Sequence, residues 1–214
     1  MSPKLKSIII NLVLFAVVVF LAIMVIKSIQ APINFNNEKE LREKQIVQRL
    51  KDIRDAEIQY KQAYNKYTNN FDTLVKFCNN YEIPIVNIIP DPNDTTFTKT
   101  INDTIGYVKV MDSLFGKRPD FNLNDLSLVP FSDPVTKFEI SDSIIKRGGI
   151  SVPVFEVKTP YEVYLAQPGA KFSEKQWNTR VQNAKAEMEQ LDKYAGLKVG
   201  SLEEASTDGN WEKL

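Results

Sequence analysis

The stretch IIINLVLFAVVVFLAIMVI, residues Ile8–Ile26, decides how this chain is organised. Asn11 is its one polar side chain, and 19 helical residues at about 1.5 Å each span roughly the 30 Å hydrocarbon core of a bilayer. A helix is required there because lipid offers no hydrogen-bond partner to backbone N–H and C=O groups. We therefore predict a transmembrane helix within residues 1–31, which contacts the lipid bilayer through residues 8–26.

The flanks of this run favour an anchor over a cleaved signal peptide. A signal peptide has a shorter apolar region and ends at a small-x-small site, where this chain has Ile29. Lys4 and Lys6 precede the run, and the positive-inside rule keeps such a flank in the cytoplasm. We expect residues 32–214 to form one domain on the far side of the membrane.

Composition excludes several classes of function. Lys and Arg together number 27, as do Asp and Glu, so no net field attracts nucleic acid or anionic lipid. No histidine is present, which removes the commonest general base and the usual imidazole metal ligand. Cys78 is the one cysteine, and its apolar neighbour Phe77 favours packing over reactivity. We predict no enzyme activity, no cofactor, no metal site and no nucleic-acid partner.

A second, amphipathic helix is predicted over residues 37–67. Pro32 discourages a helix that continues straight from the membrane, and Asn37 and Glu40 have the spacing of a capping box. No Gly or Pro follows until after Tyr67. The stripe recurs at steps of four and three residues, which places it on one face of the helix, and Glu57 occupies the one position that is not apolar. Its apolar members are Ile46, Leu50, Ile53, Tyr60, Tyr64 and Tyr67.

Two interpretations of this stripe remain open at the level of sequence. It packs on the protein's own sheet, or it forms a seam with a partner helix. We expect the aromatic end, Tyr60 to Tyr67, to pack internally, and we assign Ile46, Leu50 and Ile53 to partner binding. Trp211, near the end of the chain, joins them as a candidate contact because an exposed aromatic side chain needs a surface to pack on.

The remainder of the chain predicts a small antiparallel sheet and a C-terminal helix. Pro, Asp, Asn and Thr over residues 84–106 indicate a surface loop, with a short strand at 85–89 as an alternative for part of it. Strand-forming residues dominate about 107–165, and the last of the strands that they predict covers residues 161–165. Gly148 and Gly149 are typical of a hairpin turn, and Pro153 favours an edge or bulged position. Ser173 and Gln176 begin a capped helix over residues 174–194. The predicted fold class is α+β.

Five Asp-Ser/Thr tripeptides also stand out in the sequence. Each matches a pattern that resembles the general O-glycosylation acceptor of Bacteroidota, and such glycans suit surface loops. The alternative is that Asp-Ser/Thr pairs mark caps and turns. The candidate acceptors are Thr73, Thr95, Thr104, Ser113 and Ser143.

The order of parts resembles that of type IV pilins and pseudopilins, with a membrane helix, a long helix and a small antiparallel sheet. The segment from Ala56 to Thr68 is similar to the end of the pilin long helix, although no glycine or acidic residue precedes Glu38. The ectodomain more closely resembles uncharacterised single-pass envelope proteins of Bacteroidota, in stretches such as QRLKDIRDA (48–56), VPVFE (152–156) and GLKVGSL (196–202).

The resemblance implies a pilin-like structural or assembly subunit of an envelope machine, such as a secretion or pilus-like apparatus. Other envelope proteins or further copies of the chain would be its partners. It also implies a single pass through the inner membrane, with the N-terminus in the cytoplasm and the domain in the periplasm. The alternative function is a solitary periplasmic domain that binds or senses a ligand beside its sheet.

Overall fold

The computed structural model describes residues 3–90 and 100–212 and confirms the α+β class. Helices and strands do not alternate regularly along the chain, and both sheets are small. In chain order the elements are α1 (Pro3–Tyr64), α2 (Phe71–Asn80), β1 (Glu82–Pro90), β2 (Thr100–Lys109), α3 (Val110–Phe115), a 3-10 helix (Leu123–Ser127), β3 (Glu139–Arg147), β4 (Ile150–Pro160), α4 (Tyr161–Tyr164), α5 (Glu174–Gln190) and β5 (Gly196–Gly200).

The transmembrane and amphipathic helices are one continuous helix, α1, of 62 residues and about 93 Å. The predicted break at Pro32 and the predicted start at Asn37 are therefore wrong, because both residues lie inside α1. A proline removes one backbone hydrogen bond from a helix. Phe35, in the next turn, is buried against Phe172 and Trp177, and this packing supports α1 directly after Pro32.

The N-terminal half of α1 has the properties of a membrane span. An 18-residue window has a mean hydropathy of 2.9, and none of it is buried by the rest of the protein. Apolar side chains from Ile10 to Ile26 are exposed all round the helix, which suits lipid and not water. The chain thus carries one N-terminal helix compatible with a single-pass membrane protein.

The C-terminal half of α1 forms the spine of the domain. Ile46, Leu50 and Ile53 have no exposed surface and belong to the chain's own core. Their assignment to partner binding is therefore wrong for this fold, because a side chain with no accessible surface cannot contact a second protein. The aromatic end packs internally as expected at Tyr60 and Tyr67, whereas Tyr64 is half exposed.

Polar side chains on α1 tie it to segments distant in the sequence. The buried Arg42 donates hydrogen bonds to the carbonyl oxygens of Tyr164, at 3.2 Å, and Gln167, at 2.8 Å. Asp52 accepts two hydrogen bonds from the guanidinium of Arg118, at 2.7 and 3.1 Å. Charge-assisted bonds of this kind fix orientation as well as adding stability.

The strands form two separate antiparallel sheets. β1 pairs with β2, and β3, β4 and β5 form a second sheet in that order. Gly148 and Gly149 both have positive φ and make the predicted two-residue turn between β3 and β4. β5 pairs only with residues 156–160, so Pro153 lies where β4 has a single neighbouring strand.

Three predicted boundaries differ from the structure. Residues 84–106 were expected as a loop with at most a short strand at 85–89, yet their described parts belong to the longer strands β1 and β2. The predicted strand at 161–165 is the helical turn α4, and β5 lies beyond the predicted sheet. The capping box of Ser173 and Gln176 is confirmed, but α5 ends at Gln190 and not at residue 194.

A carboxyl group, that of Glu57, lies inside the core with no exposed surface. Its Oε2 accepts a hydrogen bond from the Thr68 amide at 3.1 Å, while its Oε1 has no partner among the described residues. Burial raises the pKa of Glu57 from 4.5 to about 8, with a smaller opposing effect from the Thr68 hydrogen bond. The folded domain therefore holds this carboxyl in its neutral form at neutral pH.

This buried acid predicts a loss of stability as pH rises. The unfolded chain releases the Glu57 proton near pH 4.5, whereas the folded chain holds it until about pH 8. The stabilisation is complete below pH 4.5 and is lost as pH rises to 8, by on the order of 5 kcal/mol. We expect Glu57→Gln to raise the Tm relative to wild type at pH 8.5 and to change it little at pH 4.5.

Thermal unfolding of the full chain across this pH range measures the effect. The exposed Glu187→Gln is the matched control and should keep the wild-type pH dependence. Parallel Tm curves for wild type and Glu57→Gln would contradict the account.

Candidate functional site

Six large apolar side chains are exposed on the β1–β2 hairpin, which we call the arm. Exposed apolar side chains cost free energy in water, and large apolar patches are uncommon on monomeric proteins. Ile88, Ile105 and Tyr107 are 65%, 64% and 67% exposed. The other large exposed apolar side chains on the arm are Ile85, Val86 and Ile89.

The geometry of the arm leaves its backbone available as well as its side chains. β1 and β2 pair only with each other, so each strand has one edge without a strand neighbour among the described residues. Such edges can pair with another chain, and an isolated two-stranded hairpin is marginally stable in water. The register shifts between Ile85 and Val86, where Ile105 is the extra residue of a bulge.

The base of the arm lies at the end of α1 that is farthest from the membrane span. Tyr81 precedes β1, and its ring centroid is 5.9 Å from that of Tyr64, the last residue of α1. The amide of Val110, directly after β2, donates to the Tyr81 carbonyl oxygen at 3.0 Å. Tyr64 lies about 57 Å along the helix from Ile26, so α1 places the base of the arm at about that distance from the end of the apolar run.

A cleft of about 500 Å³ is a second candidate site. It lies between α1, the end of α5 and β5, and its lining includes Met188, Leu197 and Trp211. Pockets that bind small molecules are mostly apolar with a few polar groups, and this cleft has that composition. Its polar side chains include Lys39, Glu43, Tyr161 and Tyr194.

Lys39 and Glu43, two charged side chains of the cleft, contact each other and neighbouring tyrosine hydroxyls. Lys39 Nζ lies 3.7 Å from Glu43 Oε1, donates to the Tyr161 hydroxyl at 3.3 Å and sits over that ring. The Tyr164 hydroxyl donates to Glu43 Oε1 at 3.0 Å. Burial raises the pKa of Glu43, and the ammonium of Lys39 opposes that rise. Lys39 and Glu43 are therefore pre-oriented at the cleft.

Trp211 borders this cleft and packs on its own domain. Its ring lies over Gly209, where an added Cβ would come within 2.3 Å of it. Asn210 holds this tail beside β5, because its amide donates to the Lys198 carbonyl oxygen at 2.9 Å. The indole N–H of Trp211 is buried without a partner among the described residues. Since part of the ring stays accessible, partner binding by Trp211 remains a prediction.

The candidate glycosylation sites are exposed wherever the structure describes them, and Thr95 lies outside the described residues. The sequence placed these sites on turns and loops, but the described ones lie in regular elements. Thr73 is in the first turn of α2 and Ser113 in α3, while Thr104 and Ser143 lie in β2 and β3. Their modification remains a prediction.

Other polar groups of the domain have structural roles. Asn122 caps the 3-10 helix, and its Nδ2 donates to Asp125 Oδ2 at 3.0 Å, so residues 122–125 form a capped turn. Among residues 3–90 and 100–212, no cluster of His, Cys, Asp and Glu could hold a metal ion. Cys78 is buried, and burial raises the pKa of its thiol to about 12.

The sequence predicted only part of the arm, a short strand at 85–89 within a loop and the end of β2 from Tyr107, and it did not predict the full hairpin. The Pro, Asp, Asn and Thr content of residues 84–106 favoured a loop. The signal for strands was present in the β-branched residues of 83–89 and 104–108, which strand pairs require. Comparisons with protein families, curated proteins and solved structures find no match to this chain.

Proposed function

We propose that the protein is a membrane-anchored, pilin-like structural or assembly subunit of a bacterial envelope machine. One observation carries the proposal: a single helix runs from the apolar span to the base of the arm. That helix sets the height and direction of a docking element relative to the bilayer. No catalytic constellation is required for such a role, which is to hold a partner protein at a fixed distance from the membrane.

The arm supplies the contact in this proposal. Its apolar side chains bury against the partner, and its free strand edges add backbone hydrogen bonds. The partner is another envelope protein that presents an apolar groove or a strand edge. This assignment moves the partner surface from the α1 stripe, which is buried, to the arm, which is exposed.

The proposed location is the inner membrane, with the N-terminus in the cytoplasm and the domain in the periplasm. Lys4 and Lys6 on the N-terminal flank support this orientation. Protease added to spheroplasts should digest the domain and leave the N-terminal anchor protected. A domain that is digested only after the membrane is lysed would reverse the orientation.

The arm predicts a docking defect without a folding defect. We expect Ile88→Ser and Ile105→Ser in the full chain to weaken partner capture while the Tm stays within about 2 °C of wild type, since both side chains are largely exposed. Crosslinking in native membranes from a photoreactive residue at position 88 should yield a discrete adduct with a second protein.

Val135 provides the matched control because it is an exposed apolar residue, 81% accessible, outside the arm. Val135→Ser should leave partner capture unchanged, and a photoreactive residue at 135 should give no discrete adduct. Equal capture by wild type and the arm variants would contradict the proposal. A small molecule that co-purifies without a partner protein would instead favour the alternative function, ligand binding in the cleft beside Trp211.

A further inference from the structure

Where α1 leaves the apolar span, α5 and the loop before it form a basic concavity of about 380 Å³. Three cations line it: Lys27 from α1, Lys171 from the loop and Arg180 from α5. The side chains of Gln30, Asn34 and Gln176 add amide groups to its lining. None of its lining residues is acidic, although the chain as a whole is neutral.

None of the three cations of the recess has a carboxylate partner among the described residues, which is also the case for exposed lysines elsewhere in the domain, such as Lys76 and Lys146. Lys39, Arg42, Arg54, Arg118, Lys185 and Lys198 all form ion pairs with carboxylates. Within the part of the chain that the structure describes, Lys27, Lys171 and Arg180 form none. Uncompensated positive charge from three separate segments therefore converges on one recess.

The recess begins where the headgroup layer of a bilayer around the apolar span would lie, and it extends beyond that layer. Lys27 directly follows the apolar run, and Asn34 lies about 10 Å farther along α1. The polar layer on each side of a hydrocarbon core is about 5–7 Å thick. Phe172, packed on Phe35 and Trp177, contributes an aromatic ring at this level, where aromatic side chains are common in membrane proteins.

We propose that this recess is a binding site for the phosphate-bearing headgroup of an anionic phospholipid in the membrane that α1 spans. Arg180 and the two lysines donate charge-assisted hydrogen bonds to phosphate oxygens, and the amide side chains contact the polar groups beyond the phosphate. The acyl chains lie along the exposed apolar face of α1 below Lys27. Because Lys171 and Arg180 belong to the folded domain, a bound lipid also fixes the domain against the bilayer.

The site rests on the assignment of α1 to the membrane, and the experiment separates the two. The full chain is purified in detergent micelles that contain equal amounts of phosphatidylglycerol and phosphatidylcholine with identical acyl chains. Mass spectrometry then quantifies the two lipids that remain bound. Each cation near an anionic lipid surface strengthens binding by about fivefold, so we expect Lys171→Gln/Arg180→Gln to lower the ratio of bound phosphatidylglycerol to phosphatidylcholine by about 25-fold.

The double variant keeps Lys27 beside the apolar run. A loss of lipid selectivity in this variant therefore shows that Lys171 and Arg180 of the folded domain bind the headgroup, and that Lys27 alone does not suffice. Lys76→Gln/Lys146→Gln removes two exposed lysines elsewhere in the domain and should keep the wild-type ratio. Equal ratios for wild type and Lys171→Gln/Arg180→Gln would overturn the site. Removal of the bound lipid by inorganic phosphate at the same concentration would identify free phosphate as the occupant and would overturn the lipid assignment.

A separate flotation experiment with vesicles of phosphatidylcholine alone measures whether the chain inserts into a bilayer. Flotation of wild type and of the double variant, with selectivity lost only in the latter, is the expected result. A wild-type chain that does not float would overturn the membrane assignment, and the headgroup site with it.

Discussion

The fold depends on one helix, α1, whose two halves have different surroundings. The N-terminal half of α1 is apolar on every side, while its C-terminal half buries Ile46, Leu50 and Ile53 on one face and keeps charges on the others. The protein core stabilises the second half, the exposed apolar surface of the first half suits lipid, and the backbone hydrogen bonds of the helix join the two halves. Every other element is positioned relative to the apolar span because it packs, directly or through a neighbour, on that second half.

Three surfaces at different heights follow from this arrangement. The basic recess around Lys27 lies where α1 leaves the apolar span, the cleft beside Lys39 lies farther along α1, and the arm begins at its far end. A flexible connector would let the distances of these surfaces from the apolar span vary, whereas a continuous helix fixes those distances. In our proposal the bilayer supplies the reference plane, the lipid headgroup seats the domain against it, and the arm engages the partner protein.

The sequence predicted those features that depend on local chemistry. The apolar span, the Gly148–Gly149 turn and the cap at Ser173 each rest on a few adjacent residues, and each is found. Features that depend on distant packing were missed: Pro32 inside a continuous helix is supported by Phe35 against Trp177. Overall neutrality likewise concealed the basic recess, because folding brings Lys171 and Arg180 beside Lys27 from more than a hundred residues away.

The central claim, that α1 is continuous from the span into the domain, is tested most directly by a distance across residues 27–36. Spin labels at Ile23→Cys and Leu41→Cys, both exposed and five turns apart, suit the measurement, and the buried Cys78 contributes little background. In phosphatidylcholine nanodiscs, double electron–electron resonance should give one narrow distribution near 27 Å. A broad distribution centred at a longer distance would show an extended connector at Pro32 and would contradict the account.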